Sequence, residues 1–320
     1  MRLSLFSVII LVIAVFVLFV RVSRMRRFES FFMRFQPIRK RLDKIRIMRK
    51  KPMDFLLSSL TWLFAAVTVT ALVFIISYIL YMGVPNLTPS LFQYTFTPDN
   101  QTMLPSIITT ALLVLSALSI AIPIGVFSAI YLVEYARRGS LYVKIIRVMT
   151  ENLTGIPSIV FGLFGYLLFV TILGFGYSLL SGTLTVALMV LPLIIRTTEE
   201  SLKAVPDTYR EGSFGLGAGR LRTVFRIVLP SAMPGILAGV ILSVGRIVGE
   251  TAALMFTLGM VTRVPEGIMD SGRTLAVHMY ILTGEGMHVG AAYATASVLL
   301  LLVICINAIS GFIAKKLVKK

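Results

Sequence analysis

Long apolar runs, separated by short polar and basic stretches, dominate the chain. A helix that crosses a bilayer needs about 20 mostly apolar residues. Seven runs reach or approach that length, and they predict membrane-spanning helices at about residues 3–20, 55–82, 104–133, 155–176, 182–201, 232–260 and 288–314. The pattern therefore predicts an all-α integral membrane protein with six core transmembrane helices and an extra N-terminal helix.

Basic residues fall mainly on one side of this predicted membrane. Of the 31 Lys and Arg residues, 13 lie between Arg21 and Lys51. If that segment is cytoplasmic, the basic loops 134–154 and 202–231 and the basic C-terminal tail lie on the same side. Cytoplasmic loops of membrane proteins carry an excess of Lys and Arg. We therefore expect a multi-pass inner-membrane protein that places only three basic residues outside, namely Arg2, Arg263 and Arg273.

The first 54 residues form a separate predicted unit, an N-terminal membrane anchor followed by a basic cytoplasmic segment. Only Arg2 precedes the first apolar run, and basic residues follow it directly, which is unlike a secretory signal and favours an uncleaved anchor. The segment 21–54 also contains spaced apolar residues. It has two interpretations, an amphipathic helix on anionic membrane lipid or a solvated basic linker.

Composition excludes several classes of protein. The chain is 57% hydrophobic and only 14% charged, so a water-soluble core cannot hide its apolar surface. The net charge of +17 is not matched by any nucleic-acid recognition motif, so we expect no nucleic acid as partner. The spacing of His278 and His288 predicts no metal site, and the single Cys305 allows no disulfide within the chain. No phosphate-binding G-x-x-x-x-G-K-[ST] motif is present, so the chain is not predicted to be an enzyme, to hydrolyse ATP or to bind a cofactor.

Residues 203–235, between two predicted spans, carry the clearest motif. Pro206 and Asp207 suit the start of a helix, with Asp207 as candidate N-cap. The following residues predict a short helix, a turn at Gly215–Gly219 and a second helix. The spacing resembles the coupling motif of ABC importer permeases, E-A-A, three residues, G, nine residues and I-x-L-P. It is carried here by Glu211, Gly212, Ser213, Gly217, Ile227, Leu229 and Pro230.

Gly212 and Ser213 replace the two alanines of that motif, and both are small. The resemblance implies a permease of the type I (MetI-like) fold over residues 55–320, with its coupling motif at 211–230. It also implies that the short helix docks on an ATPase subunit, which would hydrolyse the ATP.

Three further segments sharpen the resemblance. GIPSIVFGLFG (155–165), LPLIIRTTEESLKAVPD (191–207) and GRIVGETAAL (245–254) are similar to the A-type permease subunit of the Pst phosphate importers. This resemblance covers about residues 55–314. It implies inorganic phosphate as substrate, a C-type permease subunit as heterodimer partner, two ATPase subunits and an extracytoplasmic phosphate-binding protein.

Two ionisable residues fall inside the predicted span 232–260. An ionisable side chain at that depth is costly unless it is paired or faces water, so it indicates a functional site. Arg246 and Glu250 are four residues apart and would share one face of a helix. Arg246 can form two parallel hydrogen bonds to an oxyanion, and Glu250 would be its resting partner. The resemblance adds Arg196 to the substrate path, although that side chain could also pair with Glu199 or Glu200.

Alternatives remain for each of these assignments. Arg246 and Glu250 could form a self-neutralising structural pair. The substrate could be another oxyanion, such as molybdate or sulfate. A non-ABC ion channel and a membrane-embedded enzyme are more distant alternatives, and no catalytic set of residues in the spans supports the latter.

The predicted topology is testable with reporter fusions. Fusions after residues 45, 145, 218 and 318 should report a cytoplasmic location, and those after residues 95 and 270 an external one, because the basic loops stay inside. Alkaline phosphatase activity, which develops only outside the cytoplasm, measures this. A cytoplasmic location of residue 95 or 270 would contradict the topology.

Overall fold

The computed structural model describes residues 52–97, 100–137, 139–286 and 288–318. Every regular element in these ranges is helical, which confirms the all-α prediction. The chain divides into two compact units, residues 1–81 and 82–320. The predicted anchor at 3–20 and the basic residues 21–51 lie outside the described residues.

The described part of the first unit is a single long helix. This helix, α1, runs over Pro52–Gly83 and contains the predicted span 55–82. Its large apolar side chains are exposed, as with Trp62 (63%) and Phe64 (61%). A helix that is apolar on all faces and exposed to its surroundings is suited to lipid rather than to water.

The second unit contains ten further helices among the described residues. They are α2 (Leu104–Ile130), α3 (Leu141–Thr154), α4 (Ser158–Gly165), α5 (Leu179–Lys203), α6 (Asp207–Gly215), α7 (Arg220–Thr223), α8 (Leu229–Val248), α9 (Ala252–Thr257), α10 (Leu275–Glu285) and α11 (Val289–Val318). Wider π-helical turns extend α2 and α4 and join α7 to α8, at Tyr131–Tyr135, Tyr166–Ile172 and Val224–Val228.

Five helical stretches of the described chain are long and apolar enough to cross a membrane: Leu56–Asn86, Leu104–Tyr135, Leu179–Lys203, Arg220–Val248 and Val289–Ile309. A sixth crossing requires α3 and α4 together, and these two helices are bent by 105°. The predicted span 155–176 is observed as the helical stretch Ser158–Ile172, and the bend lies just before it. Pro157 occupies the N-cap position of α4 in an extended conformation, which ends one helical segment and starts the next.

The predicted span 232–260 is wrong at both ends. Its helix begins earlier, at Arg220, and α8 ends at Val248. Thr251 leaves helical geometry (φ −123°, ψ −57°), and α9 then continues as a separate short helix. The apolar run thus contains a break, which the hydropathy pattern alone did not indicate.

Helix α5 lies at the centre of the second unit, where it packs against α2, α3, α4, α8 and α9. Its neighbours approach it through glycines. A Cβ atom added to Gly125, Gly165, Gly235 or Gly239 would overlap an α5 side chain, respectively that of Ile194, Thr185, Ser201 or Thr197. Small residues allow such close approach between helices in a membrane. The Gly235-x-x-x-Gly239 pair therefore lets α8 pack closely against α5.

Ion pairs attach α3 to the inner part of this bundle. The Arg147 Nε atom lies 2.6 Å from Oε1 of Glu199, and the Lys203 Nζ atom lies 2.7 Å from the same oxygen. Glu199 itself is buried. Helix α3 was predicted only as part of a basic loop. Its apolar residues, which pack on α5, alternate with polar ones and so form no continuous apolar run in the sequence.

Candidate functional site

The short helix α6 follows the central helix α5 directly. Pro206 occupies its N-cap position, and Asp207, expected as the N-cap, is instead its first helical residue. An acidic side chain in the first turn interacts favourably with the positive end of the helix dipole. The predicted order of short helix, glycine turn and second helix is confirmed, since α7 begins at Arg220.

Gly217 makes the turn possible through its backbone. Its φ of +80° lies in the left-handed region that favours glycine. The turn is closed by two hydrogen bonds, from Gly217 N–H to the Phe214 carbonyl (2.9 Å) and from Ala218 N–H to the Ser213 carbonyl (3.1 Å). A Cβ atom at Gly217 would meet no described atom within 4 Å. Positive φ, and not the close approach of a neighbour, is therefore what requires glycine at this position.

Ser213 joins the two arms of residues 207–230, called the coupling segment below: α6 on one side of the glycine turn, and α7 with the turn Val224–Val228 on the other. Its buried hydroxyl lies 2.8 Å from the buried hydroxyl of Thr223, across the glycine turn. Gly212, by contrast, is exposed and has open space at its Cβ position. Of the two departures from the alanine motif, only the serine is used in packing.

Arg210 fixes α6 to the ends of two membrane helices. Its Nη2 atom lies 2.7 Å from Oε1 of Glu134, which follows α2, and also donates to the Leu202 carbonyl of α5 at 2.9 Å. Its Nη1 atom donates to the Val205 carbonyl (2.9 Å) and to Asp207 (3.1 Å). The side chains of Arg210 and Glu134 are only 14% and 8% exposed. This clamp was missed from the sequence because its partners are 76 positions apart.

The outer face of α6 is free of neighbours within the described chain. Glu211 is exposed, and Leu216 is 90% exposed. A cavity of ≈ 540 Å³ lies between the two arms, lined in part by Tyr209, Gly212, Leu216, Gly217, Arg226 and Ile227. Leu229 and Pro230 then begin α8.

Arg246 and Glu250 are not arranged as predicted. Because α8 ends at Val248, Glu250 lies outside the helix and the shared helical face does not exist. Glu250 is buried, and its Oε1 atom accepts a hydrogen bond of 3.0 Å from Ala253 N–H at the start of α9. No ion pair or hydrogen bond joins Arg246 to Glu250 among the described residues. The predicted resting pair is therefore wrong in this conformation.

Arg196 pairs with Glu200, one of the two acidic partners that the sequence suggested. Its Nε atom lies 3.0 Å from Oε1 of Glu200, one helical turn away on α5, and both side chains are at least half exposed. Glu199, the other alternative, pairs with Arg147 and Lys203.

The three candidate path residues lie at different levels. Gly239 of α8 faces Thr197 of α5, and Gly235 faces Ser201, so the two helices run antiparallel. In this register Arg246 is level with about Val190. At 1.5 Å per residue, Arg196 and Arg246 are therefore about 9 Å apart along the helix axes. The structure does not join them by contact.

Five or six apolar crossings, a central helix and a short surface helix between two crossings form the fold that solved ABC importers share. Solved structures of the same fold include an inward-facing MetNI methionine ABC transporter, with a TM-score of 0.52 and 19% identity over 67% of this chain and 94% of that one. A bacterial alginate ABC transporter gives a TM-score of 0.57 and 14% identity, over 81% and 96% of the two chains.

The chain belongs to the family described as binding-protein-dependent transport system inner membrane component, whose model matches residues 121–319. A relative from Bacillus subtilis (strain 168), "Probable ABC transporter permease protein YqgI", is 32% identical over 85% of this chain and 99% of its own length. "Phosphate transport system permease protein PstA" of Mycobacterium leprae (strain TN) is 39% identical, over 51% of this chain and 53% of its own length. The chain thus spans about half the length of that phosphate permease. Family membership implies an ATPase subunit and a substrate-binding protein as partners, and a permease subunit of this kind is not itself catalytic.

The conformation of Gly217 generates the first structural prediction. Gly217→Val should destabilise the turn by about 1–3 kcal/mol, because a β-branched residue is strained at positive φ. We expect co-purification of the ATPase subunit and ATP-driven transport to fall together. Gly215→Ala is the matched control, since Gly215 has open space and no positive φ, and it should behave like the unchanged chain. Normal co-purification and transport by Gly217→Val would contradict the assignment.

The Arg210 clamp generates the second. Glu134→Gln should destabilise the coupling segment by about 3 kcal/mol, because it leaves a largely buried guanidinium with only the exposed carboxylate of Asp207. The expected result is faster proteolysis at residues 207–219 in the purified complex. Glu200→Gln, which removes the partner of the exposed Arg196, should not change that rate. Equal proteolysis rates in the two variants would show that the clamp does not hold α6.

Proposed function

We propose that this chain is the membrane permease subunit of an ATP-driven importer of inorganic phosphate. The observation that carries the proposal is the similarity of about half the chain to proteins named as phosphate transport system permease protein PstA, at 39% identity for Mycobacterium leprae and 38% for Yersinia pestis. The three motifs that resemble A-type phosphate permeases lie in packed contact, which supports their acting together. For example, a Cβ at Gly162 of the first motif would overlap Ala253 of the third.

The proposed substrate path uses Arg246, Glu250 and Arg196. Arg246 is half-buried near the end of α8 and has no acidic partner among the described residues, so its planar fork is available for an oxyanion. Glu250 lies at the adjacent break in the helix. Helix breaks at membrane depth occur where the backbone lines a cavity or is buried in protein. This position supports a role beside the substrate.

The proposed assembly pairs this chain, through its permease domain at 55–320, with a C-type phosphate permease subunit. Gly245 has no described atom near its Cβ position, and Gly249 is exposed. Unlike Gly235 and Gly239, these glycines are not used inside the chain. They support a close approach by a helix of the partner subunit.

Energy would come from two ATPase subunits that dock on the coupling segment. The proposed contact residues are Glu211, Gly212, Ser213, Gly217, Ile227, Leu229 and Pro230, with this segment and the C-terminus on the cytoplasmic side. ATP hydrolysis is assigned to those subunits, and no catalytic site or cofactor to this chain. An extracytoplasmic phosphate-binding protein would deliver the anion on the opposite side.

The alternatives are less well supported. An importer of molybdate or sulfate would share the fold, but the relatives at 38–39% identity are named as phosphate permeases. Membership of the binding-protein-dependent transport family argues against an ion channel. ATP-driven uptake of labelled phosphate, but not of labelled sulfate or molybdate, by the reconstituted complex tests the proposal directly.

Glu250→Gln separates charge from structure at the path. Glutamine keeps the oxygen that accepts the Ala253 N–H bond, so α9 should keep its cap and the complex should assemble in normal amounts. If the carboxylate charge takes part in transport, phosphate uptake per complex should fall at least about tenfold, the effect of one lost charge-assisted contact. Normal uptake would leave Glu250 as a helix cap only.

Arg246→Lys tests the guanidinium in the same assay. Lysine keeps the positive charge but not the planar fork, so uptake per assembled complex should also fall at least about tenfold. Arg263→Lys, at an exposed arginine of the loop after α9, is the matched control and should transport normally. Normal uptake by Arg246→Lys would remove Arg246 from the proposed path.

A further inference from the structure

A second cationic site lies at the end of the bundle opposite the coupling segment. The Asp270 carbonyl accepts a hydrogen bond of 2.8 Å from Leu179 N–H at the start of α5, whereas the coupling segment follows the end of α5. Near this starting end, Arg273 is 5% exposed and His278 is fully buried. Neither residue belongs to the path or the coupling segment described above.

One edge of the Arg273 guanidinium has donors without acceptors. Its Nε and Nη2 atoms are buried, and neither has a hydrogen-bond partner among the described residues. These two N–H groups point in the same direction and form the fork that binds two oxygens of one anion. The Phe96 ring covers a face of the guanidinium, with its centroid 4.9 Å from Cζ. The edge that suits a two-oxygen anion is therefore buried and has no hydrogen-bond partner within the described chain.

His278 adds a second set of polar atoms. Neither ring nitrogen has a hydrogen bond of ordinary geometry within the described chain. The Gln101 backbone interacts with the ring weakly and raises its pKa slightly against the larger effects below. Burial, followed by the charge of Arg273, lowers the pKa of His278 to about 3. The imidazole is therefore neutral at pH 7, with one nitrogen as donor and the other as acceptor.

The neighbouring threonine hydroxyls are not partners of Arg273 or His278, because they form hydrogen bonds with backbone groups. Thr110 accepts a hydrogen bond from Leu275 N–H (2.9 Å), Thr274 accepts from Val277 N–H (3.4 Å), and Thr102 donates to the Leu91 carbonyl (2.9 Å). Glu285, an exposed residue at the far end of α10, is the acid that acts on Arg273 from a distance. Burial lowers the pKa of Arg273 to about 10, which still leaves it charged at pH 7.

A buried charge with unsatisfied donors costs free energy unless a partner neutralises it. We propose that Arg273 and His278 form a second binding site for inorganic phosphate at the outer end of the permease, separate from Arg246. This inference rests on the proposed function and adds a site to it. The Arg273 fork binds two phosphate oxygens, and His278 accepts a hydrogen bond from the protonated oxygen.

The histidine gives the site a basis for choosing among anions. At pH 7 inorganic phosphate carries at least one proton on oxygen, whereas sulfate carries none. The Gln101 backbone favours an N–H on one nitrogen of His278, which leaves the other nitrogen as an acceptor for the anion. Phosphate satisfies that acceptor and sulfate leaves it unpaired, and an unpaired buried acceptor is unfavourable. The site therefore prefers phosphate to sulfate.

Both side chains are shut off from solvent in this conformation. Phosphate can reach them only if the segment around them opens, so occupancy is linked to the conformation of the outer end.

Phe96 offers a local reporter of occupancy. The chain has one tryptophan, Trp62, so Trp62→Phe combined with Phe96→Trp places its single indole beside Arg273. In the assembled complex in nanodiscs, without ATP and binding protein, phosphate should change the indole fluorescence in a saturable manner. Arg273→Gln and Arg273→Lys in this background should each raise the half-saturating phosphate concentration at least about tenfold. His278→Phe should abolish the preference for phosphate over sulfate.

Arg263→Gln, at an exposed arginine of the same loop, is the matched control and should leave the titration unchanged. The inference is overturned if phosphate does not change the fluorescence, or if Arg273→Gln and Arg273→Lys titrate like their parent. If the Arg273 variants do not assemble, His278→Phe decides. Loss of its phosphate–sulfate preference supports the site, and an unchanged preference overturns it.

Uptake separates this inference from the function on which it rests. The proposed function would be rejected if proteoliposomes that contain the complete complex with the unchanged chain take up no phosphate when ATP and binding protein are supplied. ATP-driven phosphate uptake by the unchanged chain and by the reporter variant, without a fluorescence response, would reject only the second site.

Discussion

Close approach of helices to α5 is the constraint on which the rest of the second unit depends. Lipid provides no hydrophobic drive for helix association, so helices in a membrane are held by packing and by polar contacts. Glycines on α2, α4 and α8 let these helices reach the α5 surface, and their contacts involve Thr185, Thr197 and Ser201. Each such threonine or serine hydroxyl is bonded to its own helix backbone, for example Thr185 to the Ser181 carbonyl at 2.8 Å. The interface therefore gains contact without leaving polar groups unpaired.

This central packing determines how movement at the surface can reach the membrane. Helix α6 continues from α5 after a short connection, and Arg210 ties it both to α5 and to Glu134 beyond the end of α2. A force on α6 is thus applied to two packed helices at once. Rigid-body movement of helices is a known way to pass a conformational change between sites, and the hydrogen bonds of Arg210 to Glu134, Leu202 and Val205 connect α6 to both helices for such a movement.

Local patterns predicted much of this fold, and non-local contacts account for what they missed. The apolar runs gave four spans nearly at their observed bounds, and the spacing from Glu211 to Pro230 gave the coupling segment. Hydropathy averages over many residues, so it could not show the break at Gly249–Thr251 or the bend at Pro157, each of which depends on two or three residues. The Arg210–Glu134 pair and the Arg273–His278 site join positions whose proximity only the packed helices create. Glu250 was wrongly placed on a helical face with Arg246 for a different reason: the helix ends at Val248, two residues before it.

The three arginines proposed to meet the anion are spread along the protein rather than gathered in one place. Arg273 lies near the starting end of α5, Arg246 is level with about Val190, and Arg196 follows toward the inner end. Along α5 these levels are separated by about 17 Å and about 9 Å at 1.5 Å per residue. A single deep site that held an anion with all three would release it slowly, because every contact would have to break together. Transport needs binding that is favourable enough for entry and weak enough for release. On the proposed function Arg273 and Arg246 bind the anion one after the other, and Arg196 would bind it only by exchanging its contact with Glu200.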